Sequence, residues 1–184
     1  MAIELDGGVG IDSPTYTGDG SGLSNTGAML QFQHTLFTGT SYLSDVGTTD
    51  VPIVGVSVDI TPKFANSKMK IEVRWGGEVK YQYDTLFNIL RNGLPINLPN
   101  VTGSLRRGLA GPAITSYFDN TDSTPESCSF FTIDTPNTTG VITYQLSAVG
   151  NGGVNIWTGR CFSSNTSGNS ERMSCEITVT EIAI

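Results

Sequence analysis

The chain has 184 residues, enough for one domain with a core that needs no covalent staples. Gly, Ser, Thr and Asn supply 75 of them and only 15% are charged, which excludes a helical bundle, while 38% hydrophobic content excludes wholesale disorder. Seventeen acidic against ten basic residues leave a net charge of -7, so nucleic acid and anionic membrane are disfavoured as partners, and no apolar run reaches the ~18 residues of a membrane span.

Residues 1–28 differ from the rest. Ile3-Glu4-Leu5-Asp6 and Val9-Gly10-Ile11-Asp12 mix apolar and acidic residues, and Thr17-Gly18-Asp19-Gly20-Ser21-Gly22-Leu23 is glycine-rich. A single chain gives such a segment little to bury. It reads as an arm, either a flexible leader or an extended strand ordered by neighbouring subunits, with a reach on the order of 90 Å when extended. Its acidic start lacks the basic region of a secretory signal.

From Met29 the chain takes the two-residue period of strands. Leu30, Phe32, His34 and Leu36 share one face of the first, so His34 is expected to point inward as a core or interface histidine. Phe32 and His34 are the candidate subunit interface. Val54, Val56, Val58 and Ile60 share a face of the next strand. Met69, Ile71, Val73 and Trp75 then alternate with Lys68, Lys70, Glu72 and Arg74, one side buried and the other wet. Gly76-Gly77 is expected to punctuate the chain before Val79, Tyr81 and Tyr83. Asn92-Gly93 between apolar runs predicts a type I′ hairpin, and Pro95 places the return strand at an edge or cuts it short.

Residues 99–127 hold no sustained period. An excursion of that length in a compact domain usually makes a contact, and Arg106, Arg107, Tyr117 and Phe118 are its candidate contact residues. Strands resume over Ser129 to Ile133. They continue with Ile142, Tyr144, Leu146 and Ala148 on one face, then with Val154 and Ile156 after the Asn151-Gly152-Gly153 turn. A polar loop follows from Arg160 to Glu171. The last strand carries Met173, Cys175, Ile177 and Val179 on its apolar face. About eight strands without a long helix predict an all-β fold, an antiparallel β-sandwich of jelly-roll type over 29–184 preceded by the extended N-terminal arm. Pairing of the first strand with the last would close it.

Chemistry-bearing patterns are absent from the sequence. One histidine cannot build a multi-histidine metal site, and there is no GxSxG elbow, P-loop or complete GxGxxG. Asp119 and Asp122 lack calcium-loop spacing and read as solvated acids. Cys128, Cys161 and Cys175 are odd in number and lack CxxC spacing, so they read as reduced thiols more than as a disulfide frame. Trp75, Tyr81, Tyr83 and Trp157 could form a carbohydrate-stacking platform, though Trp75 faces the core side of its strand. No catalytic residue, cofactor or metal is expected.

Several stretches together resemble the tail-fibre-like virion proteins of marine and cyanobacterial phages. They are Met29-Leu30-Gln31-Phe32-Gln33; Val58-Asp59-Ile60-Thr61-Pro62-Lys63-Phe64-Ala65-Asn66-Ser67-Lys68-Met69-Lys70-Ile71; Arg91-Asn92-Gly93-Leu94-Pro95-Ile96; and Ile177-Thr178-Val179-Thr180-Glu181-Ile182-Ala183. Gly18 to Leu23 also looks like the short linker upstream of fibre domains. The resemblance leaves out residues 99–127. It implies a virion structural protein, a fibre or appendage subunit, homotrimeric, that supports attachment to a host-surface glycan or protein. Its partners would be other virion proteins, and its location the virion. The alternatives are a capsid-surface decoration or head fibre, and a free carbohydrate-binding module; a glycan-degrading enzyme ranks below these.

Overall fold

A computed structural model describes residues 27–81, 84–101, 105–112, 124–162 and 171–184. Among these residues ten strands run in chain order: β1 (Met29–Phe37), β2 (Ser41–Val46), β3 (Val51–Ile60), β4 (Lys68–Lys80), β5 (Leu86–Arg91), β6 (Leu94–Pro95), β7 (Glu126–Asp134), β8 (Ile142–Val149), β9 (Val154–Thr158) and β10 (Cys175–Ile182). They form two antiparallel sheets, a sandwich-like all-β fold. One sheet has the order β1-β10-β4-β9-β2 with β7 also paired to β4; the other has the order β3-β8-β5-β6. Among the described residues no helix is long and apolar enough to cross a membrane.

The pairing is nested. β1 pairs with β10, β3 with β8, β4 with β7 and β5 with β6, so the early half of the chain is zipped antiparallel against the late half. The first and last of these strands lie side by side as expected, and beyond them the Ala183 N–H donates to the Ala28 carbonyl.

The core follows from strand alternation. Met69, Ile71, Val73 and Trp75 of β4 and Cys175, Ile177 and Val179 of β10 point inward from one sheet. Val56, Val58 and Ile60 of β3, Phe87 and Ile89 of β5, and Ile142, Tyr144, Leu146 and Ala148 of β8 meet them from the other. Trp75 stacks obliquely on Phe87 with ring centroids 4.8 Å apart. Each large aliphatic side chain taken out of water this way contributes about 1.5–3 kcal/mol.

Some local readings of the sequence need correction. His34 does not point inward. Thr35 pairs with the buried Ile177, so odd-numbered residues of β1 face the second sheet, while Phe32, His34 and Leu36 stand in solvent. The phase of β1 is set by its ladder to β10 and not by its own apolar residues. Val54 is likewise exposed, because the ladder to β8 is interrupted between Pro52 and Ser57 and the face changes there.

Gly76-Gly77 does not break β4, which runs through to Lys80. Here the neighbour on one edge changes from β10 to β9. A Cβ on Gly77 would lie 2.1 Å from the Trp157 carbonyl oxygen, so the side chain is excluded by close packing and not by a turn. Asn92 (φ 50°) and Gly93 (φ 85°) form the expected hairpin turn, and Pro95 ends the two-residue β6 at the sheet edge.

Candidate functional site

The quoted sequence motifs meet in space. The Gln31 amide donates to the Thr61 carbonyl (2.7 Å) and to the Glu181 carboxylate. Glu181, fully buried, also accepts from the Lys63 N–H (2.8 Å) and the Phe64 N–H (3.2 Å). Three separated motifs are thus tied through one carboxylate. In the fourth, Arg91 donates to both carboxylate oxygens of Asp134 (3.0 and 2.9 Å), which also accepts from the Tyr144 hydroxyl at 2.7 Å. Ile96 is buried in the core. These residues act as joints of the fold.

What the fold leaves facing outward is a four-strand face of β1, β10, β4 and β7. The registers set it in level rows. Phe32, Thr180, Lys70 and Ile133 make one row; His34, Thr178, Glu72 and Phe131 the next; Leu36, Glu176, Arg74 and Ser129 the third. The margins are apolar and open to solvent: Phe32 is 52% exposed, Leu36 51%, Phe131 64% and Ile133 47%. Between them runs a shallow groove of about 490 Å³, lined in part by Phe32, Glu72, Arg74, Phe131 and Glu176.

Charges in the groove are internally matched. Lys70 pairs with Glu72 at 2.9 Å and Arg74 pairs with Glu176. The Lys70 ammonium also lies 5.6 Å from the centre of the Phe131 ring, and Phe32 stacks with His34 at 6.2 Å. The arrangement offers contact area with apolar rims and a satisfied polar floor.

The other sequence candidates are placed elsewhere. Arg106 is half-buried and its guanidinium is held by the Asp84 carboxylate (2.8 Å) and carbonyl, which makes it a clamp on the β5 approach. Arg107 is exposed and gives its carbonyl to Asn88. Tyr117 and Phe118 lie outside the described residues, as do Tyr83, Asp119, Asp122 and the leader through residue 26. The structure therefore brings Phe32 and His34 together with Phe131 and Ile133, which sequence reasoning missed. No local signal links β7 to β1 from a distance of three strands.

The carbohydrate-stacking alternative loses Trp75 to the core, where the face of its strand places it. Trp75 is fully buried with its indole N–H on Thr158. Trp157 is buried beneath Tyr42 (5.3 Å, stacked) and Phe162 (5.0 Å, edge-on). All three cysteines are buried and unpaired. Burial pushes the thiols of Cys128 and Cys175 up, and burial with the neighbouring charges of Glu78 and Glu171 pushes Cys161 up to about 12, so none is poised as a nucleophile. Among the described residues no group of three or more His, Cys, Asp or Glu is placed to hold a metal ion.

No protein-family model matches the chain, and no curated protein matches it.

Proposed function

We propose that the protein is a structural subunit of a phage virion, a fibre or appendage component that supports host-surface attachment as a homotrimer. The observation that carries this reading is the outward face of β1, β10, β4 and β7. A chain of this size leaves four large apolar side chains in solvent on one face, a feature of proteins that meet other proteins. The jelly-roll reading is supported by the nested pairs β1/β10, β2/β9, β3/β8, β4/β7 and β5/β6, set in one six-stranded and one four-stranded sheet; the jelly roll is frequent in viral coats and lectins. In this reading residues 1–28 are the arm that holds the subunit to the particle, and the 100–127 excursion meets the host glycan or protein. Attachment on the capsid, as a decoration or head fibre, is the same reading at another location.

Mass spectrometry of purified virions tests it, with heads and tails separated to locate the chain. The 19.6 kDa chain is expected among the structural proteins in fixed proportion to the major ones. Its absence from intact particles would refute the reading.

A further inference from the structure

The two rims of the outward face belong to strands at opposite margins, β1 and β7, with β10 and β4 between them. Phe32 and Leu36 form one rim, Phe131 and Ile133 the other. Among the described residues, neither rim has an apolar neighbour across the groove. Three strand spacings, roughly 14 Å, separate them.

We infer that this face is where copies of the chain meet, with the β1 rim of one copy packed on the β7 rim of the next. The inference rests on the reading of the protein as a subunit of an assembly and names the surface that assembles it. A rotation axis running along the strands in front of this face carries β1 of one copy towards β7 of its neighbour and keeps the rows level. Phe32 then meets Ile133, and His34 meets Phe131. Such a contact joins two different edges; with a pure rotation and no rise along the axis it closes into a ring, and three copies with these faces turned inward complete one.

Charge supports the same occupant. The chain carries a net charge of -7, so two copies repel over most of their surfaces. On this face the outward charges are Lys68, Lys70 and Arg74 against Glu72 and Glu176, a near balance. A second acidic copy can approach here without like-charge repulsion. Its apolar rims match these rims in kind, which a nucleic acid or an anionic lipid surface would not.

The test uses the full chain with His34→Cys and Phe131→Cys. A disulfide needs Cβ atoms about 4 Å apart, so the two new thiols cannot bridge within one copy. Both sites are exposed and the native thiols are buried, so mild oxidation is expected to give covalent trimers and no internally bridged monomer. In parallel, sedimentation of wild type at micromolar concentration is expected to give the trimer mass. Phe32→Glu with Phe131→Glu is expected to weaken association roughly tenfold or more while leaving thermal unfolding of the isolated subunit unchanged. A wild-type monomer, or a trimer that survives both glutamates, would overturn the inference. So would a monomer whose face becomes adhesive only when residues 1–26 are deleted, because the leader would then be the occupant. Absence of the chain from virions would defeat the functional reading alone and leave this association standing.

Discussion

At Asp134 the two sheets are held by a polar bond as well as by packing. The carboxylate closes the inner edge of β7 and takes hydrogen bonds from Arg91 of β5 and Tyr144 of β8. Removing the negative charge leaves Arg91 and the buried Tyr144 hydroxyl poorly satisfied. Asp134→Asn is expected to cost about 2–3 kcal/mol, read from the urea midpoint at unchanged slope. A loss near zero would show that hydration replaces the carboxylate fully. The buried thiols set an alkaline limit. In the unfolded chain a thiol ionises near pH ~8.5. In the fold Cys161 keeps its proton up to about 12, and Cys128 and Cys175 are also raised. As pH rises the unfolded chain therefore loses protons first, so stability is full below the unfolded value and falls above it. Burial and the Asp134 hydrogen bond push Tyr144 the same way, adding to the loss once free tyrosine begins to ionise. Cys161→Ser is expected to flatten the decline in a denaturation series run at rising alkaline pH; an unchanged slope would show that this thiol is not the group responsible.

Individual strands differ in how openly they announce themselves. β4, β8 and β10 alternate apolar and polar residues against a core on one side, and their inward faces were readable residue by residue. β1 has the same alternation with the opposite outcome, since an edge strand takes its phase from its neighbour and this sheet tolerates apolar residues outside. β2 escaped notice because Val46 alone is fully buried within it. The glycine pair of β4 reads in the sequence as punctuation of the chain, whereas in the fold it serves close packing. That distinction is testable: Gly77→Ala would drive a Cβ into the Trp157 carbonyl and to 2.5 Å from the Trp75 ring. Neither backbone nor buried indole can yield cheaply, so a loss of about 3 kcal/mol or more is expected in chemical denaturation. A mild effect would mean that β9 can slide off β4 at little cost. The outward face was half legible. Phe32 and His34 stood out as an apolar run with one histidine, but Phe131 and Ile133 joined them only through the β4–β7 register, which no short stretch of sequence encodes.

For the whole molecule, the leader and the sandwich-like body have separate duties in the proposed role. The described body begins at 27 and has its own core, with Ala28 already hydrogen-bonded to Ala183. Deleting residues 1–26 is expected to leave the melting temperature within a few degrees and to abolish incorporation into particles, scored by the chain's abundance in purified virions. Particles that still take up the truncated chain would move the anchoring function into the body. The nested pairing bears on something else, the order of events in time. The outermost pair, β1 with β10, joins the first and last strands of the described residues. Its loop is the longest to close, and non-local pairings of this kind fold slowly. β1 cannot find its partner until β10 has been made, so a nascent chain holds Phe32 and Leu36 unplaced until then. The rim they form is therefore completed late, which in the proposed assembly would hold copies apart until β10 is in place.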